Sequence, residues 1–185
     1  MFTYKFLDFP KIPDKLVANI VPGNIIREYP GRVCTKNNLP FNTSSGIYYT
    51  INNEITDWVK QNLPVDLDFV GIRYQFGSAE AYCQGAHTDA TRDYGILYVV
   101  DNAGGHLEFW QKKGHDLEFD EFILISNYDE LDSLGTVDTP NGSWYLVNGR
   151  VLHSVENILG KRITIQLNLK SLMGITIEND IQPHT

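Results

Sequence analysis

Cysteine is scarce in this 185-residue chain: there are two, Cys34 and Cys83, and neither belongs to a C-x-x-C pair. That excludes a disulfide framework or a thiolate zinc site as the basis of the fold. Both thiols are expected to pack as small apolar groups without chemistry. Long apolar runs are also missing, with no stretch near the roughly 20 residues of a membrane helix. The opening Met-Phe-Thr-Tyr-Lys-Phe-Leu-Asp-Phe-Pro lacks a signal peptide's apolar core, so a cytoplasmic location is expected. Positive charge is in deficit. Fifteen Lys and Arg against 23 Asp and Glu give a formal net charge of −8, whereas nucleic-acid binders present a basic face that displaces counterions. Nucleic acid is therefore disfavoured as a partner. No internal repeat, low-complexity tract or linker divides the chain, and a single domain over residues 1–185 is the expectation.

What is present is enough apolar material for one core, with 42% hydrophobic and 12% aromatic residues. Residues 13–21 begin with Pro13, which a first helical turn tolerates, and carry Leu16, Val17 and Ile20 at helical spacing. A second helix is predicted over residues 53–63, where Ile55, Trp58, Val59 and Leu63 recur at three- and four-residue steps before Pro64. Residues 30–46 between them, rich in Pro, Gly, Asn, Thr and Ser, read as a long loop of the kind that covers sites. From Asp68 onward the signal becomes β: segments 69–76, 94–100, 106–111, 121–126, 143–148 and 162–169, separated by clusters such as Asp101-Asn-Ala-Gly-Gly105. The fold class is mainly β, a sandwich or barrel preceded by two small helices.

Within that frame His87-Thr88-Asp89 is an H-x-D triplet. Alternate residues of an extended strand share a face, so His87 and Asp89 can reach one ion while Thr88 turns away. His153, just ahead of the run Arg162-Ile-Thr-Ile-Gln-Leu-Asn-Leu169, is the best third ligand. Two histidines and a carboxylate on one face of an ion leave open positions, the pattern of non-haem Fe(II) oxygenases. The run 162–169 alternates as well: Arg162, Thr164, Gln166 and Asn168 fall on one face, Ile163, Ile165, Leu167 and Leu169 on the other. Either the polar face meets solvent, or it lines a pocket while the helices cover the aliphatic face. The proximity of His153 favours the pocket.

The ordered set Tyr74-Gln-Phe-Gly77, His87-Thr-Asp89, Gly104-Gly-His-Leu-Glu-Phe-Trp110, His153-Ser-Val and Arg162-Ile-Thr164 resembles the Fe(II)/2-oxoglutarate-dependent dioxygenases, specifically their small prolyl-hydroxylase-like branch. The resemblance covers about residues 68–170 and implies a double-stranded β-helix, or jelly roll, with the N-terminal helices packed on one sheet. It implies that His87, Asp89 and His153 ligate Fe(II), and that Arg162 and Thr164 hold the far carboxylate of 2-oxoglutarate, a task suited to a guanidinium fork. Tyr74 matches a tyrosine that also touches 2-oxoglutarate, although extra residues separate it from His87. The implied reaction consumes O2 and 2-oxoglutarate, releases succinate and CO2, and hydroxylates a substrate C–H bond. A peptidyl side chain is the first expectation for that substrate and a small metabolite the second. Residues 30–46 and 78–84, including Tyr82, are the expected cover of the site.

Lys161 has the opposite strand parity and is assigned to solvent. His106 reads as strand surface, and His115 and His184 as solvated. The clusters at Glu118-Asp120-Glu121 and Asp129-Glu130-Asp132 read as solvated loops. Two other functions fit parts of the pattern: a cupin-like metal-dependent isomerase or hydrolase, and a non-catalytic barrel that binds a small anion or a protein. Dependence of turnover on 2-oxoglutarate separates all three.

Overall fold

The computed structural model describes residues 4–51, 53–89 and 93–171. In chain order its elements are β1 (Tyr4–Leu7), α1 (Asp14–Ala18), β2 (Pro22–Tyr29), β3 (Val33–Lys36), β4 (Leu39–Asn42), β5 (Ser45–Ile51), α2 (Asn53–Asn62), β6 (Asp66–Phe76), β7 (Tyr94–Asp101), β8 (His106–Lys112), β9 (Leu131–Asp138), β10 (Trp144–Asn148), β11 (Leu152–Glu156) and β12 (Lys161–Ser171). Seven strands form one antiparallel sheet in the order β1-β10-β7-β12-β6-β5-β2, and β11-β8-β9 form a second. The chain is mainly β with antiparallel sheets.

Strand parity divides the large sheet into two working faces. Ile96 and Tyr98 of β7, Trp144 and Leu146 of β10, and Ile165 and Leu167 of β12 pack with Ile55, Val59 and Leu63 from the α2 region in one cluster. The intervening residues Val99, Tyr145 and Val147 join Leu107, Phe109, Val137 and Val155 of the smaller sheet in another. The large sheet is thus covered on both sides, so β10 is buried at all five positions where a half-exposed strand would alternate. The polar residues of β12 can then escape neither face: Arg162, Thr164 and Gln166 are buried on the side that meets the second sheet.

Three expectations need correction. Residues 30–46 are not a loop throughout. β3 and β4 form a hairpin whose two-residue turn, Asn37-Asn38, has positive φ at both positions (55° and 58°), the backbone a tight primed turn needs and one asparagine tolerates. Asp129 secures it, accepting from Asn37 N at 2.6 Å and Asn38 N at 3.1 Å, so this member of an acidic cluster has a structural task. Second, residues 121–126 make isolated bridges rather than a ladder. Third, the large sheet recruits β1, β2 and β5 from outside residues 68–170. β2 escapes a periodicity reading because it is an edge strand, exposed at six of its eight positions. His184 lies outside the described residues.

Candidate metal centre

His87 and His153 are directly opposed: each backbone N–H donates to the other's carbonyl at 3.0 Å. In an antiparallel pair, opposed residues project to the same side, and the two imidazole rings lie 4.7 Å apart. The other edge of this short segment pairs with residues 123–125, with Thr88 N donating to Ile123 O and Ile125 N to Ala86 O, both at 3.0 Å. Residues 86–88 therefore act as a narrow strand joining β11 to the 123–125 segment. Thr88 turns away from the rings, as the alternation requires. It is fully buried, its hydroxyl donating to Glu121 O at 2.9 Å and accepting from Ile123 N at 2.8 Å.

One potential ligand atom from each of His87, Asp89 and His153 lies within 4.8 Å of the others, close enough for three donors to share an ion. Each histidine is oriented by a carbonyl two residues upstream: His87 Nδ1 lies 2.9 Å from Gly85 O, and His153 Nδ1 2.9 Å from Val151 O. A carbonyl only accepts, so Nδ1 carries the proton and Nε2 keeps the lone pair that a metal requires. Burial pushes the His87 pKa down to about 3, with the His153 charge adding to the depression and Asp89 opposing it. His87 is therefore a neutral ligand at physiological pH.

Across the inter-sheet space, Arg162 is 2% exposed. Its Nη1 donates to Gln75 Oε1 at 2.6 Å and its Nη2 to the Tyr145 hydroxyl at 2.9 Å. Among the described residues its Nε has no hydrogen-bond partner, and neither does Thr164 Oγ1, two residues along the same strand face. Leaving such groups buried and unsatisfied costs about 1–3 kcal/mol each, so the pair asks for an acceptor that can also receive a hydroxyl proton. Arg162, Tyr145 and Gln166 line a recess of about 30 Å³ together with His87, Asp89 and His153. A larger cavity of about 510 Å³ shares the wall formed by Arg73, Gln84, His87, Asp89 and Gln166.

Tyr74 is not in this constellation. It has the opposite parity on β6, packs edge-to-face on Tyr49 at 5.6 Å, and carries Lys161 over its ring at 4.1 Å. Its neighbours Arg73 and Gln75 face the cavity instead. The β6–β12 register carries the signal that a motif match missed: Arg162 opposes Gln75 and Thr164 opposes Arg73, while Tyr74 opposes Ile163. Gln84 is a second omission, its side-chain amide lying 2.7 Å from that of Gln75 and 3.1 Å from His87 Nε2. Of the two expected covering segments, residues 30–46 supply Pro30, Arg32 and Thr43 through Gly46 to the larger cavity, and residues 78–84 supply Gln84. Tyr82 stacks on Phe41 at 6.2 Å.

No family model matches the chain, and no curated protein matches it in sequence. Solved structures similar to it include a 2OG-Fe(II) oxygenase family oxidoreductase from Burkholderia pseudomallei, 10% identical over 83% of this chain and 75% of that one, with a TM-score of 0.43. Another is Escherichia coli ycfD, 10% identical over 99% of this chain and 58% of that one, TM-score 0.46. A third is a Pseudomonas putida prolyl-4-hydroxylase, 14% identical over 70% of this chain and 74% of that one, TM-score 0.39. No helix among the described residues is long and apolar enough to cross a membrane.

Proposed function

We propose that this protein is an Fe(II)- and 2-oxoglutarate-dependent dioxygenase that hydroxylates a C–H bond, built on a double-stranded β-helix whose N-terminal helices cover one sheet. The observation that carries this reading is the buried Arg162–Thr164 pair. Two buried groups without partners among the described residues, Arg162 Nε and Thr164 Oγ1, lie on one strand face, and Arg162 lines the recess together with two histidines and an aspartate whose ligand atoms converge within 4.8 Å. The donor set fits the groups assigned to it: imidazoles with Nε2 available and one carboxylate suit Fe(II), and a guanidinium beside a hydroxyl suits a carboxylate. A cupin-like hydrolase has no use for that second half.

In this reading His87, Asp89 and His153 hold the metal, and the Gly85 and Val151 carbonyls keep both imidazoles in the ligating tautomer. Arg162 and Thr164 hold the far carboxylate of the co-substrate, with Tyr145 and Gln75 fixing the guanidinium plane. The chemistry supplied by iron, 2-oxoglutarate and O2 is oxidative decarboxylation to succinate and CO2 coupled to hydroxylation of a substrate C–H bond. Burial of Arg162, Thr164 and His153 keeps water from the reacting centre. With the Gln84 amide in place the recess is about 30 Å³, too small for a five-carbon diacid, so this amide swings aside on binding while Gln75 keeps its hold on Arg162.

The test is an anaerobic visible spectrum of metal-free protein titrated first with Fe(II) and then with 2-oxoglutarate. A weak charge-transfer band that requires both components is the expected result. Normal iron binding without the band would overturn the co-substrate assignment, and failure to bind iron would overturn the triad.

A further inference from the structure

We infer that the substrate is a small organic anion with an apolar skeleton, its oxyanion group held by Arg27 and Arg32 on the outer wall of the larger cavity; this rests on assigning the inner recess to the co-substrate. The chain carries a net charge of −8, yet among the described residues the walls of the two adjoining cavities present four guanidiniums, Arg27, Arg32, Arg73 and Arg162, against two carboxylates, Glu28 and Asp89, and no lysine. Asp89 belongs to the metal and Arg162 to the co-substrate. Arg73 is 9% exposed and lies 4.3 Å over the Tyr29 ring, which makes it part of the wall. Arg27 and Arg32 remain, exposed and half-buried respectively, and neither has an ion-pair partner among the described residues.

Arg32 is placed deliberately close to the metal centre. Its guanidinium rests against Gly85, where any Cβ would collide with it, and its Nη2 lies 3.4 Å from Ala86 O. These are the two residues immediately before His87. The planar fork offers paired donors to a carboxylate or phosphate. Tyr29 supports the second guanidinium, with Arg27 Cζ 5.9 Å over its ring centroid, a cation–π contact that uses none of the guanidinium's N–H donors. The substrate's body is specified by Phe122 and Leu124, which are 50% and 51% exposed and line the same cavity. A volume of about 510 Å³ suits a small molecule, within the roughly 300–1,000 Å³ of ligand pockets.

The experiment is calorimetric titration of anaerobic protein saturated with Fe(II) and 2-oxoglutarate. The probes are matched pairs: aliphatic and aromatic carboxylic acids against their amides, and phosphate monoesters against the parent alcohols. Acids should bind at least ten-fold more tightly than their neutral partners. The Arg27→Gln/Arg32→Gln double variant should lose that preference while retaining the iron–2-oxoglutarate band. Binding confined to carboxylates or to phosphates assigns the oxyanion. Equal binding of acids and neutral partners, no binding by any probe, or a preference that survives in the double variant would overturn the inference. Should the band be missing in the unaltered protein, the co-substrate reading fails separately, and titration of inorganic phosphate into metal-free protein still decides the anion site. Binding abolished in the double variant supports it, and no binding to either protein sinks it.

Discussion

His87 and His153 exchange both backbone hydrogen bonds at 3.0 Å, so the bridge that joins this short segment to β11 also brings two metal ligands together. Ligand geometry and sheet pairing are one feature. Because the pairing uses main-chain atoms only, a side chain can be removed without opening it. His153→Ala and Asp89→Ala should fold normally, with metal affinity reduced at least 100-fold, as read by Mn(II) binding in electron paramagnetic resonance. Unchanged affinity in either variant would remove that residue from the ligand set.

Arg162 and Thr164 should separate stability from co-substrate binding. Thr164→Val removes a hydroxyl with no partner among the described residues at nearly constant volume, so its melting temperature should hold or rise while 2-oxoglutarate binds about ten-fold more weakly. Arg162→Ala should cost about 2–4 kcal/mol of co-substrate affinity. It should also destabilise the fold, because Gln75 and Tyr145 lose their partner. Calorimetric unfolding and the charge-transfer titration read the two effects independently.

Tyr74 provides the opposite control. It packs on Tyr49 and under Lys161, away from the recess, so Tyr74→Phe should leave 2-oxoglutarate affinity within two-fold of the unaltered protein. Gln75→Leu, which removes the acceptor at 2.6 Å from Arg162, should alter it. The reverse ranking would restore Tyr74 to the site.

Thr88 ties the metal segment to the 121–123 loop through a hydroxyl that both donates and accepts. Thr88→Val keeps the shape but strands Ile123 N–H and Glu121 C=O, a loss of about 1–3 kcal/mol. Hydrogen exchange should quicken around residues 121–125, while a Thr88→Ser variant, which retains the hydroxyl, stays protected.

Acid should weaken the metal-free protein through His87. Its folded pKa of about 3 lies below its ordinary value near 6.5, so between these limits the unfolded chain accepts a proton that the folded chain refuses. This contribution is complete above about pH 6.5 and is lost as the pH falls toward 3. Urea unfolding at several pH values should show the decline, and His87→Gln should flatten it. A profile equally steep in that variant would assign the acid sensitivity elsewhere.

The strand-like alternation in residues 162–169 was legible because side-chain direction in a strand has a period of two whatever surrounds it. The same rule placed Thr88 away from its flanking residues and Lys161 away from Arg162. Residue type carried the ligand chemistry, since two imidazoles and a carboxylate on one face leave positions open on an ion. Which chain segments become neighbours is decided by pairing across long separations, and the sequence bears no local mark of it. The opposition of His87 and His153, the β6–β12 register that turns Gln75 inward and Tyr74 outward, and the approach of Arg32 to Gly85 all came from the tertiary structure. They depend on which backbone groups find partners once both faces of the large sheet are covered.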